Sequence, residues 1–232
     1  MEKEQNGTSI KVFFTADTHF THPSTLYFHP ERRKAAGITL EELQEDKMKA
    51  MYKFDEWLIE RWNATVKRQD FVYILGDFCL GNKVRTEEIL SRLHGRKYLI
   101  RGNHDKSLNG LDRYFQWVGD IKEAKFNHNQ YKFIEPDEPF CVEMCHFPLL
   151  SWNRRPHGTC HLHGHCHNSI TPFNNLSKEL RLDVGIDADI ANLGLVPLET
   201  VYGHMRKIVI DNGCNTFVDH VEKLMLEQGF RM

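Results

Sequence analysis

Short, dense apolar runs alternate along the chain with longer stretches in which apolar residues return every three or four positions. Residues 10–16, IKVFFTA, are the first dense run. Short, β-branched and aromatic, they predict a buried strand. FVYIL at 71–75, KYLI at 97–100 and FCVEM at 140–144 repeat the pattern, and FVYIL in particular predicts an interior strand covered on both faces. RLDVGI at 181–186 and RKIVI at 206–210 read as further strands, and HLHGH at 161–165 as a strand and turn. Between residues 39 and 66, Leu40, Leu43, Met51, Phe54, Leu58 and Trp62 fall at helical spacing. They predict one amphipathic helix of several turns, capped by Thr39, with Glu41 and Glu42 favourable in its first turn. TEEILSRLHG at 86–95 predicts a short helix with Thr86 as cap and Gly95 as stop. A last helix is expected from about Thr216. The order is mixed α/β, β-α-β in the first half and strand-rich in the second, and it packs naturally as layers with helices outside. No repeat or linker marks a boundary, so one domain is expected over 1–232, with 1–9 flexible and 211–232 a helical tail.

Composition adds bounds. At 232 residues the chain can bury a real core without disulfide or metal staples. Hydrophobic content of 41% and charged content of 27% are those of a soluble globular protein. A net charge of −2 sets up no global field to attract nucleic acid or an anionic membrane. No run of about 18 apolar residues suggests a membrane span, and the polar start, MEKEQNGTSI, lacks a secretory leader. A cytoplasmic protein without membrane contact is expected. Its six cysteines, without a C-x-x-C pair, are then free thiols.

The candidate chemistry sits at the ends of the strands. The first ends in Asp17-Thr18-His19, the second in Gly76-Asp77, the third in Gly102-Asn103-His104-Asp105. The fourth ends in His146 and the fifth in Gly164-His165-Cys166-His167. Sites in α/β folds form beyond the carboxyl ends of strands, so five loops can converge on one place. In extended chain, residues i and i+2 face the same way, which would aim Asp17 with His19, and His165 with His167, at one ion. Carboxylate, imidazole and amide oxygen form a mixed N/O set suited to Mn²⁺, Fe, Zn²⁺ or Ni²⁺ rather than Ca²⁺.

DTH, GD, GNHD, a lone histidine and GHCH together resemble the five-part signature of the calcineurin-like metallophosphoesterases. FTADTHFTHPSTLYF, LIRGNHD, HFPLLSWN and HLHGHCHN are similar to small bacterial and phage members. The resemblance spans roughly Ile10 to Met205. It implies a four-layer α-β-β-α sandwich, two mixed sheets flanked by helices. It also implies two divalent metal ions, Mn first, with Fe, Zn, Ni or Mg as alternatives. Asp17, His19, Asp77 and His167 would hold the first ion, and Asp77, Asn103, His146 and His165 the second, with Asp77 bridging. His104 would act on the scissile phosphate, oriented by Asp105. The implied activity is phosphoester hydrolysis through a metal-activated hydroxide, and a nucleotide-like or small diester is the expected substrate. A nuclease or an end-processing 2',3'-cyclic phosphodiesterase, with nucleic acid as partner, is the alternative. A phosphomonoesterase and a non-catalytic metal-binding module come after it.

Several residues stay open. His161 and His163 have no place in the signature; they read as polar strand residues, with a supporting or substrate role for His163 as the alternative. Cys160 and Cys166 could form a separate zinc knuckle with the histidines, although alternation turns Cys166 the other way. His22, Arg101, Trp152, Arg154 and Arg155 are candidates for holding the substrate, since arginine grips phosphate and tryptophan stacks on bases. Asp183 and Asp187 could orient ligand histidines or could serve ordinary turns. Oligomeric state is not legible.

Overall fold

The first strand, Val12–Thr15 (β1), is buried on both sides, as its unbroken apolar run requires. It was located in a computed structural model that describes residues 10–229. The flexibility expected of residues 1–9, and the last three residues of the tail, lie outside the described residues. Thr25–Phe28 (α1) and Pro30–Ala35 (α2) follow, then Leu40–Glu45 (α3), Lys47–Thr65 (α4) and Phe71–Ile74 (β2). Lys83–Arg92 (α5), Arg96–Ile100 (β3), Phe115–Gly119 (β4), Ile121–Phe126 (β5) and Phe140–Cys145 (β6) come next. The remainder is Cys160–His163 (β7), Thr171–Ser177 (α6), Arg181–Asp183 (β8), Val196–Pro197 (β9), Leu198–Asp211 (α7) and Phe217–Glu227 (α8).

The strands form two mixed sheets flanked by helices. One has the order β4-β3-β2-β1-β9, parallel except for β9. The other has the order β5-β6-β7-β8, with β5 antiparallel to β6 and the rest parallel. Alternation along β1 divides the core. Val12 and Phe14 join Tyr73, Leu75, Phe140, Val142, Met144, Leu162 and Leu182 in the apolar layer shared by both sheets. Phe13 turns the opposite way, to Phe54, Leu58 and Trp62 of α4 and Ile89 and Leu90 of α5. Phe14 is fully buried, its ring 5.5 Å from that of Tyr73. The carboxyl ends of β1, β2, β3, β6 and β7 all lead into the loops described below. Bridges from Ala16 to Gly185 and from Phe20 to Cys79 tie the first of those loops to its neighbours.

Four details depart from the expectations. The helix over 39–66 is two helices, because Asp46 leaves the helical conformation and accepts hydrogen bonds from the amides of Met48 and Lys49, starting α4 afresh. The helix expected from Thr86 begins at Lys83, capped by Asn82, and Thr86 is buried inside it. RKIVI, expected as a strand, lies in α7. Leu198, Val201, Tyr202, Met205 and Val209 are its buried residues, so a helical period overrides the β-branched composition. Strands β4, β5 and β9 were not expected: half of the residues of β5 are charged, and β9 is two residues long. The expected strands at β1, β2, β3, β6 and β7 are present, as is the helix capped by Thr216.

Candidate metal centre

The loop after β1 runs beside the loop after β2. Amides of Asp17, His19 and Phe20 donate to the carbonyls of Gly76, Asp77 and Phe78, at 3.0, 3.0 and 2.9 Å. Asp17, His19, Asp77, His165 and His167 all have positive φ, between 46° and 69°. This conformation is uncommon for non-glycine residues and is held where surrounding structure over-determines it. The paired side chains therefore reach common ground through left-handed turns, not through the extended alternation expected from sequence. Two glycines leave room for the carboxylates. A Cβ on Gly102 would stand 2.5 Å from the Asp77 amide, and one on Gly164 would stand 2.7 Å from Asp17 Oδ2.

Two groups of donor atoms result. Asp17, His19 and His167 offer ligand atoms within 4.8 Å of one another, and Asp77, His146 and His165 do the same. Asp77 Oδ2 lies between them, 3.7 Å from His19 Nε2 and 3.6 Å from His146 Nε2. Asn103 Oδ1 is 3.0 Å from His146 Nε2 and completes the second group. A third trio, His29, His167 and Asp187, is also close, but Asp187 is already committed to Arg32 and His167.

These residues fit a cation. Asp17 Oδ1 and His19 Nδ1 are buried and have no hydrogen-bond partner. His19 Nε2 faces His167 Nε2 at 3.2 Å. His167 Nδ1 is 2.6 Å from Asp187 Oδ2, so that nitrogen carries the proton and Nε2 presents a lone pair. Burial, then the charges of Asp183 and Asp77, push the Asp17 carboxyl well above its ordinary range. Burial, with Arg32 and the neighbouring histidines, pushes His19 down to about 2, leaving the ring neutral. Buried carboxylate and imidazole atoms left without partners are what a divalent ion with N/O preference satisfies.

Asp187 and Arg32 hold this arrangement from behind. Arg32 is fully buried. Its Nε and Nη2 bind both oxygens of Asp187 at 2.7 and 2.6 Å, and Nη1 and Nη2 donate to the carbonyls of Thr18 and Asp17. Burial works upward on the Asp187 carboxyl, but the hydrogen bonds from Arg32 and His167 hold it well below its ordinary range. Asp187 thus orients His167. Asp183 instead accepts the amides of Gly185 and Asn168 and shapes the GHCHN turn. Neither Arg32 nor His29, whose ring stacks 4.7 Å from His167, carried a signal in spacing or motif.

The other candidates have various surroundings. His104 is exposed, its ring 6.0 Å from His19, and its amide donates to Asp77 Oδ1 at 2.8 Å. Asp105 makes no hydrogen bond to that imidazole. Its buried carboxylate accepts the amides of Asp77, Phe78 and Gly102, at 3.0, 2.8 and 2.7 Å. It braces the loops and not the His104 ring, and burial pushes its pKa up despite those bonds. His22 stands 5.7 Å from His19, ring to ring, with Nδ1 unpartnered.

Arg101 pairs with Asp120, and Arg155 makes a two-pronged pair with Glu179. Arg154, in a left-handed turn, lines a cavity with Glu123 and Lys125. Trp152 is 6% exposed, donates to the Thr159 carbonyl and stacks on His161, which leaves no face for a base. Phe147 is the exposed aromatic nearer the second group, with its ring 4.8 Å from His165 and 4.9 Å from His146.

His161 and His163 are fully buried. Burial pushes His161 down to about 3, so it is neutral. Its Nδ1–H donates to the Glu143 carbonyl, and Nε2 accepts the Leu149 amide at 3.1 Å, which anchors the loop after His146. His163 donates from Nδ1 to the Gly164 carbonyl and faces Asn174 with Nε2. Both are satisfied interior residues. Cys160 is fully buried within the apolar layer, while Cys166 lies half-buried in the loop.

Five loops at the strand ends, two histidine–carboxylate groups and a carboxylate oxygen between them make a candidate site for divalent metal. The family model of the calcineurin-like phosphoesterases matches residues 10–213. The chain belongs to that family, whose members hydrolyse phosphoesters with divalent metals.

An uncharacterized protein of Methanocaldococcus jannaschii is 27% identical over 200 residues, covering 85% of this chain and 92% of its own. The Gene 66 protein of Mycobacterium phage D29 is 28% identical over 196 residues, covering 76% and 88%. That of phage L5 is 24% identical over 224 residues, covering 88% and 99%. The crystal structure of an Aquifex aeolicus protein of unknown function shares the fold, with a TM-score of 0.57 at 19% identity over 87% of this chain and 100% of its own. Among the described residues, no helix is long and apolar enough to cross a membrane.

Proposed function

We propose that this chain is a phosphodiesterase working with two transition-metal ions, Mn²⁺ first, on a small nucleotide-like diester. The observation that carries the reading is the Asp77 carboxylate oxygen lying within 3.7 Å of both ligand groups, at His19 and at His146. Asp17, His19, His167 and Asp77 would hold one ion, and Asp77, Asn103, His146 and His165 the other. When bound, the pair supplies Lewis acidity to the phosphoryl oxygens and a nucleophilic hydroxide at neutral pH.

The remaining work belongs to the protein. His104, exposed beside the first group and anchored to Asp77 through its amide, donates a ring proton to the departing ester oxygen. Asp105 keeps the two loops in register by gathering three backbone amides. Asp187 fixes the His167 ring.

Purified protein with added Mn²⁺ is assayed on paired aryl phosphate monoesters and diesters beside Asp77→Asn. Diester hydrolysis that requires both metal and Asp77 supports the reading. Monoester hydrolysis alone makes the protein a phosphatase, and a protein that takes up no metal on reconstitution removes the dinuclear site.

A further inference from the structure

His104 opens onto a cleft of about 480 Å³ that neither ligand group enters. Cys79, Leu80, Gly81, Asn82 and Lys83 line one side, and Lys106, Ser107 and Asn109 the other. No carboxylate lines it. Lys83 and Lys106 are both exposed, and among the described residues neither forms an ion pair or a side-chain hydrogen bond. Lys83 Nζ lies close over Gly110, where a Cβ would come within 2.8 Å of it, so the ammonium is turned across the cleft toward the 106–110 segment. The walls are fixed from below. Ser107 Oγ donates to the Cys79 carbonyl at 2.5 Å, and the Asn82 side chain accepts the Arg85 amide. Two ammonium groups without an ion-pair partner among the described residues, in a cleft that no carboxylate lines, favour an anion.

We infer that this cleft binds a phosphate group carried on the leaving side of the substrate, within reach of Lys83 and Lys106. The inference rests on the phosphodiesterase reading, because it takes His104 as the group that faces the leaving oxygen. It narrows the substrate to diesters whose leaving group is itself phosphorylated. Two sources share that chemistry: the next phosphate of a nucleic-acid strand, and the distal phosphate of a nucleotide anhydride. Of the arginines put forward for the substrate, Arg155 is paired with Glu179 and Arg101 with Asp120.

The test compares the dinucleotide ApA with ApAp, the same diester bearing a 3'-terminal phosphate, for wild type and Lys83→Gln/Lys106→Gln. In Mn²⁺-loaded wild type the added phosphate is expected to raise kcat/KM about tenfold at low salt, through KM, as charge-assisted hydrogen bonds do. Raising ionic strength from about 0.05 to 0.2 M should erode the preference. In the double variant the ratio should fall to about one. Equal ratios in wild type and variant overturn the inference, as does a wild-type ratio of one. A strand source is supported if longer oligonucleotides bind still better, and an anhydride source if a dinucleoside diphosphate outcompetes ApAp.

Binding of the same pair is also measured by calorimetry. A metal-loaded protein that cleaves neither compound argues against the phosphodiesterase reading, while its affinity ratio still decides whether the cleft discriminates.

Discussion

Replacing Asp187 with Asn removes one charge and leaves the shape. Two consequences follow from the geometry, and they separate. Arg32 is fully buried and binds both oxygens of Asp187, at 2.7 and 2.6 Å. With Asn there, the buried guanidinium loses its counter-charge and keeps the carbonyls of Asp17 and Thr18 and at most one amide oxygen. Breaking a buried pair by removing one partner costs about 3–5 kcal/mol, a large fraction of the roughly 5–15 kcal/mol that stabilises an ordinary domain. His167 also loses the anionic acceptor 2.6 Å from its Nδ1. Losing such a partner behind a metal-binding histidine typically lowers metal affinity by about 10–100-fold.

Urea unfolding of the metal-free protein reads the first effect, and Mn²⁺ titration by calorimetry reads the second. Only the site of Asp17, His19 and His167 should weaken, because Asp187 bonds to no residue of the other group. Adding Arg32→Met should recover part of the lost stability, since the uncompensated charge is gone, and should not restore the metal affinity. A single variant within about 1 kcal/mol of wild type, or equal weakening of both metal sites, would refute the reasoning.

Two further outcomes are expected. His104→Ala should lower kcat on aryl diesters by about 10²–10⁴-fold while metal content stays at the wild-type level; turnover that persists removes His104 from the reaction. Lys97 is nearly buried, donates to the Leu93 and Gly95 carbonyls, and is pushed by burial from its ordinary 10.5 down to about 8. Between those values the unfolded chain binds the proton and the folded protein releases it, so stability should rise with pH across that window. Denaturant unfolding of metal-free protein from pH 8 to 10.5 should show the rise in wild type and lose it in Lys97→Met.

The candidate donors were legible in the chain where chemistry is written in residue type and local order. Asp17, His19, Asp77, His146, His165 and His167 stand at strand ends. Those strands are identifiable because interior strands are short apolar runs. Reading failed where a role depends on a partner far along the chain. Arg32 lies 155 positions from Asp187, and nothing in a short helix of sequence PERRKA shows which of its two arginines turns inward. Asp105 stands next to His104, yet its bonds go to amides of Asp77, Phe78 and Gly102. His161 and His163 share the alternation of the ligand histidines, but the strand ends at His163, and the left-handed turns of His165 and His167 carry only the later pair into the site.

The sequence by itself determined the mixed α/β order, the strands that carry the loops and the kinds of donor atoms those loops bring. Tertiary structure decided the rest. It set the helical fate of RKIVI, the grouping of six side chains around the Asp77 carboxylate and the buried Arg32–Asp187 brace. It also left Lys83 and Lys106 without an ion-pair partner among the described residues, beside His104. The physical reason is range: periodicity and residue type act over a few positions, whereas burial and charge pairing are settled only when distant segments pack together.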